Sequence, residues 1–147
     1  MDRQIFITSD HHGVEIKSSI IKHLVNWNYD VTDLGTNSSV PVDYPEYAVK
    51  ACEEVLSHPS SLGILICGTG IGMCMSANKI DGILAGEADS VGMATRGRAE
   101  DHINVLCLSA DYTDANLAND IVDAFINTEP SDKDRYVRRV KEVADQE

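Results

Sequence analysis

Residues 62–67 read Leu-Gly-Ile-Leu-Ile-Cys, with no charged or hydrogen-bonding aliphatic member, and run straight into Gly-Thr-Gly-Ile-Gly at 68–72. A run apolar at every position has no face to give to water. As a strand it must be covered on both sides, which is the situation of a central strand in a parallel sheet between helices. It is too short for a helix of ordinary length, and the glycines behind it mark a sharp turn.

The rest of the chain alternates around this strand. Arg3 to Thr8 reads as a buried strand, and Val14 to Trp27 as a helix with Ile16, Ile20, Leu24 and Trp27 on one face. Tyr29 to Leu34 is a short strand, and a turn-rich stretch leads to Pro45 in the first turn of a helix over Glu46 to Leu56. After Leu62 to Cys67 comes a helix over Met73 to Lys79. A short strand over Gly82 to Gly86, a helix over Asp89 to Arg98 and a fifth strand over Asn104 to Leu108 follow. Leu117, Ile121 and Phe125 set the apolar face of a helix over Thr113 to Asn127. Ser131 and Asp134 have capping-box spacing for a last helix carrying Val137, Val140 and Val143. Five strands alternating with helices predict an α/β, Rossmann-like three-layer sandwich with a five-stranded parallel sheet. A chain of 147 residues predicts a single domain over 1–147, large enough to bury a core without staples.

Net charge is −12, which argues against nucleic-acid and anionic-membrane partners. No apolar run approaches the roughly 18 residues of a membrane span, and the first residues lack the apolar core of a signal peptide. A cytoplasmic protein is expected. Cys52, Cys67, Cys74 and Cys107 form no CxxC pair or zinc spacing, so they are expected as reduced thiols with no metal.

In a parallel sheet, ligands bind outside the carboxyl ends of the strands. Three segments stand there: Ser-Asp-His-His-Gly at 9–13, Cys-Gly-Thr-Gly-Ile-Gly at 67–72 and Ser-Ala-Asp-Tyr at 109–112. Gly68, Gly70 and Gly72 let several backbone N–H groups converge, which suits a phosphate or a developing oxyanion as well as a tight packing turn. Cys67, the last strand residue before a helix N-terminus, occupies a setting that favours the thiolate. It can serve as nucleophile or general base, with Thr69 beside it for hydroxyl contacts. Asp10 and His11 can orient a sugar hydroxyl or phosphate, although Asp10 also suits a helix cap. Cys52, Cys74 and Cys107 are expected in the core. Arg135 and Arg139, one helical turn apart, fit a phosphate clamp or a solvated face.

Together, residues 9–13, Val-Asp-Tyr-Pro-Glu-Tyr-Ala at 42–48, residues 62–73, Ser-Ala-Asn-Lys-Ile-Asp-Gly-Ile at 76–83 and Asn-Val-Leu at 104–106 resemble the ribose-5-phosphate isomerase B and galactose-6-phosphate isomerase subunit family. The resemblance implies an aldose–ketose isomerase without metal or cofactor, acting on a phosphorylated sugar. It also implies a homodimer or tetramer with the active site between subunits. Cys67 then takes the proton from C2 of the open-chain sugar, and the loop of Gly68, Gly70, Ile71 and Gly72 stabilises the enediolate. Thr69 assists at the sugar oxygens, while Asp10, His11, Tyr44 and Asn78 match substrate-side positions.

The resemblance is uneven. Many members carry Arg-x-His-Asn before the fifth strand, with the His opening the sugar ring. The matching stretch here is Arg98-Ala99-Glu100-Asp101, so Glu100 and Asp101 stand at the His and Asn positions, with His102 following. The position of a common phosphate-binding Arg is Asp111, a charge that repels phosphate. Arg135 and Arg139 of the last helix remain. The expected activity is interconversion of ribose 5-phosphate and ribulose 5-phosphate. The alternatives are one subunit of a hetero-oligomer acting on another phosphosugar, with a homologous partner chain, or a non-catalytic sugar-phosphate-binding homologue.

Overall fold

The computed structural model describes residues 3–147. Along the chain lie β1 (Gln4–Ser9), a 3-10 turn (His11–Gly13), α1 (Val14–Asn26), β2 (Asp30–Asp33), α2 (Tyr44–Ser57) and β3 (Leu62–Cys67). Then follow α3 (Ile71–Ala77), β4 (Ala85–Glu87), α4 (Val91–Asp101), β5 (Val105–Ser109), α5 (Ala115–Asn127) and α6 (Asp134–Ala144). The five strands form one parallel sheet in the order β2-β1-β3-β5-β4.

β3 lies at the centre, and all six of its residues are buried. Its side chains divide between two cores. Leu62, Ile64 and Ile66 join Ile20, Leu24, Ala94, Ile121 and Phe125 from α1, α4 and α5 on one face. Leu65 and Cys67 join Ala48, Cys52, Met73 and Ala77 from α2 and α3 on the other. Each fully buried aliphatic side chain contributes about 1.5–3 kcal/mol, so the two-sided cover is what makes an all-apolar strand stable. No helix among the described residues is long and apolar enough to cross a membrane.

Several expected boundaries move. β4 begins at Ala85, not Gly82: Gly82 has φ +91°, and Ile83 N–H donates to the Ile80 carbonyl, so 80–83 is a turn. α3 begins at Ile71, two residues before the expected Met73, and α4 begins after Ser90, whose hydroxyl accepts from Met93 N–H. The capping box at Ser131 and Asp134 does not form. Lys133 is the N-cap of α6 and makes no side-chain cap, while Ser131 Oγ accepts from Lys133 N–H. Ser131 is instead tied to the end of α4, its N–H donating to the Ala99 carbonyl and its own carbonyl accepting from His102 Nε2.

The strand order reverses direction between β1 and β3. This is the switch point at which ligands bind in open α/β sheets, and it puts Asp10 and His11 on one side of a crevice and Cys67 on the other.

Candidate active site

At the end of β3 the Cys67 side chain is 4% exposed, and its Sγ accepts a hydrogen bond from Gly70 N–H at 3.2 Å. That bond requires the chain to double back within three residues. Gly70 does so with φ +80°, and a Cβ there would stand 3.0 Å from both the Leu108 carbonyl carbon and Glu87 Cγ. Any other residue is therefore excluded by conformation and by space. Thr69 Oγ1 accepts from Ile71 N–H at 3.1 Å, which occupies that amide, and the Ile71 side chain itself is exposed. As at any helix start, the other first-turn amides of α3 have no intrahelical acceptor.

Tyr44, the first residue of α2, closes one wall. A Cβ on Gly72 would lie 2.6 Å from the tyrosine Cζ, so glycine at 72 is what lets the ring approach α3. Opposite, Asp10 is 5% exposed and accepts from His12 N–H at 2.9 Å, while its own N–H donates to the Ile66 carbonyl. Asp10 thus acts as the cap of the turn that presents the two histidines. His11 Nδ1 accepts from Val42 N–H at 3.2 Å. With that lone pair engaged, a neutral His11 carries its proton on Nε2 and offers a donor to the crevice.

The structure brings together Asp10, His11, Tyr44 and the 67–72 loop, as the sequence indicates. The other expected site residues stand apart. Asn78 holds Ala85, its Oδ1 accepting from Ala85 N–H at 2.8 Å and its Nδ2 donating to the Ala85 carbonyl at 2.9 Å. Glu100 pairs with Arg96 through two contacts of 3.1 Å, and this pairing holds its carboxyl below the usual range. The Arg135 guanidinium lies over the Tyr136 ring, 4.5 Å from its centroid. Asn78, Glu100, Asp101 and Arg139 all line a groove of about 1060 Å3 between α6 and the β4–α4 layer. None of Cys67, Thr69, His11 or Tyr44 lines it. His102, at the αL end of α4, donates Nε2–H to Ser131.

Two residues beside the loop escape sequence reasoning as site members. Glu87, at the end of β4, lies against Gly70, and burial, reinforced by the Asp89 charge, holds its carboxyl above the usual range. His12 pairs with Asp111 at 3.2 Å over Gly68. Asp111, read from the sequence as a charge that only repels, has a basic partner.

The thiols also differ from expectation. Cys52 and Cys107 are buried, but Cys74 is half-buried. Burial, then the neighbouring Glu53 charge, pushes the Cys52 thiol up to about 12. The Cys107 thiol, itself driven well up by burial, hydrogen-bonds Cys74 and with the Glu87 backbone brings Cys74 down to about 7. Iodoacetamide at about pH 8 should therefore label Cys74 ahead of Cys52 and Cys107, because the thiolate is the reactive form. Peptide mass spectrometry after brief labelling reads the order, and earlier labelling of Cys107 would contradict it.

Comparison with known proteins identifies the family and the fold. A family model described as Ribose/Galactose Isomerase matches residues 5–143. The chain is 36% identical to ribose-5-phosphate isomerase B of Escherichia coli over 141 residues, covering 96% of this chain and 94% of that protein. A ribose 5-phosphate isomerase structure from Thermotoga maritima superposes with a TM-score of 0.94 at 38% identity, covering 99% of both chains. Ribose-5-phosphate isomerase B of Mycoplasma genitalium, solved with bound ribulose-5-phosphate, gives 0.93 at 38% identity, covering 99% of this chain and 97% of that one.

Proposed function

We propose that this chain, which belongs to the ribose/galactose isomerase family, interconverts ribose 5-phosphate and ribulose 5-phosphate through an enediolate with Cys67 as the base. The observation that carries the reading is the single turn at 67–72, which holds a cysteine sulfur and backbone donors at one point. The thiolate takes the proton from C2 of the acyclic aldose, and the electron pair moves toward the carbonyl at C1. Charge develops on the oxygens as the enediolate forms, and donors already in place lower that barrier without reorganising. The O2 hydroxyl proton passes to O1 and the abstracted proton returns from the Cys67 thiol to C1, giving the C1 hydroxyl and C2 carbonyl of the ketose and restoring the thiolate. Thr69 and the His11 Nε2–H contact the sugar oxygens, and Tyr44 and Asp10 shape the walls.

The reading includes a homodimer. Val137 and Val143 of α6 are 46% and 52% exposed, so this helix leaves an apolar stripe uncovered by its own chain. Arg139, Glu100 and Asp101 line a groove apart from Cys67, which fits a site whose second half comes from another copy. Arg135 and Arg139 supply phosphate contacts in that arrangement. A cytoplasmic single-domain protein over 1–147, working without a different partner chain, completes the reading. The test is the purified chain alone with ribose 5-phosphate, with ribulose 5-phosphate followed by NMR. Turnover supports the reading. A folded chain that turns over neither sugar overturns it.

A further inference from the structure

An aldose 5-phosphate in water is closed between O4 and C1. Cys67 acts on C2 only after that ring opens, and opening needs one group to take the O1 proton and give a proton to O4. Five histidines are available in the chain. Within one chain, His23 pairs with Asp123, His58 with the Glu54 carbonyl, and His102 with the Ser131 carbonyl, and none of the three bonds a residue of the 67–72 loop. His11 and His12 stand at the crevice, their ring centroids 4.6 Å apart, and their hydrogen bonds set them in opposite tautomers. His11 accepts at Nδ1 and presents a donor. His12 Nδ1 lies 3.2 Å from Asp111 Oδ1, and with the carboxylate oxygen as acceptor the Nδ1–H is the donor. Neutral His12 therefore presents an unprotonated Nε2. The two residues read as a base and a donor side by side.

The His12–Asp111 pair is fixed to the reacting loop from both ends. Asp111 N–H donates to the Gly68 carbonyl at 3.0 Å, and Ala110 N–H to the Cys67 carbonyl at 2.9 Å. His12 N–H is held by Asp10 at 2.9 Å. A Cβ built on Gly68 would stand 3.0 Å from Asp111 Oδ2 and 3.6 Å from His12 Nδ1. The two side chains are 47% and 48% exposed, so the imidazole is open to solvent beside Gly68.

We propose that His12 opens the furanose ring of the aldose, with Asp111 as its positioning residue; this rests on the isomerase reading above. His12 Nε2 takes the O1–H proton as the C1–O4 bond breaks and O1 becomes the aldehyde oxygen. The pair of electrons leaving on O4 receives the same proton from Nε2, which returns His12 to its starting form. Asp111 holds the ring tautomer and stabilises the transient imidazolium, as a carboxylate behind a catalytic histidine does.

The test separates ring chemistry from proton transfer at carbon. Ribulose 5-phosphate has no ring form, because the O5 hydroxyl that would close onto C2 is phosphorylated. Its C1 hydron exchanges with solvent deuterium through the enediolate without any ring step. In the H12N variant, conversion of ribose 5-phosphate should fall by about 10²-fold or more, while C1 exchange in ribulose 5-phosphate, read by NMR, continues at the parental rate. D111N should show the same split with a smaller loss. Parental conversion in H12N, or equal loss of conversion and exchange, overturns the assignment. A parent chain that catalyses neither reaction instead sinks the isomerase reading, and this inference with it.

Discussion

Replacing Cys67 with alanine is expected to lower both isomerisation and C1 exchange by about 10²–10⁴-fold, the contribution of a positioned general base. Loss of one small buried side chain costs only about 1 kcal/mol, so the variant should remain folded by circular dichroism. The expectation rests on what else stands near the loop. Thr69 and Tyr44 carry hydroxyls that are poor bases, His11 offers a donor, and the free Nε2 of His12 is assigned to the ring oxygens and not to C2. Among the described residues, Glu87 is the carboxyl beside the loop that burial holds above the usual range, and it lies against Gly70. Retention of more than about a tenth of the activity, against the loss expected of a general base, would move the role to Glu87. Glu87→Gln in the alanine background would then remove what remained.

Much of the sheet is legible because its signals are local. β3 coincides with the apolar run at 62–67, since a strand covered on both faces admits no polar residue. α5 follows from Leu117, Ile121 and Phe125 on one face, and Ile121 and Phe125 are fully buried. β4 is less legible for a physical reason. Ile83 and Leu84 are as apolar as a strand, but pairing to β5 begins only at Ala85 opposite Val105, and no local signal records which residues reach the ladder. α6 is readable as a helix from its valines, yet nothing in its own sequence says that its apolar stripe stays uncovered in the chain.

The candidate site divides the same way. Cys67 and the glycines are adjacent in sequence, so their convergence can be read directly. The His12–Asp111 pair joins residues 99 positions apart, at the ends of β1 and β5. Position by position, Asp111 reads as an added negative charge; in space it is the partner of an imidazole. Glu100 and Arg96 are four apart on α4, a spacing that predicts their pairing, but the pairing matters only once the groove is seen. Cys74 and Cys107 look alike as isolated thiols, and only their contact makes one a hydrogen-bond donor to the other.

The loop that seats His11 depends on a buried charge, and removing its counter-charge should have the largest effect on stability. Lys17 on α1 is 1% exposed, and its Nζ contacts Asp33 Oδ1 at 2.6 Å and Asn37 Oδ1 at 2.5 Å. Asp33 Oδ1 also accepts from Gly35 N–H at 2.9 Å. The Gly35 carbonyl in turn accepts from Thr8 Oγ1 and Ser9 N–H, and Thr36 N–H donates to the Ser9 carbonyl. From there the chain runs to Val42, whose N–H holds His11. Asp33→Ala leaves an ammonium inside the fold with only an amide oxygen for company. Breaking a buried pair from that side costs about 3–5 kcal/mol, and the partial exposure of Asp33 puts the expectation at the low end, about 3 kcal/mol. That corresponds to a fall in Tm of about 6–12 °C for a chain of this size. Lys17→Met should cost less, because the carboxylate it leaves is 32% exposed and can take up water, while the methionine fills the buried volume. Calorimetry on the two variants reads the asymmetry directly. Equal losses would mean that the contact acts through packing of the lysine stem and not through its charge, and the loop would then owe its position to the Gly35 and Thr36 backbone bonds alone.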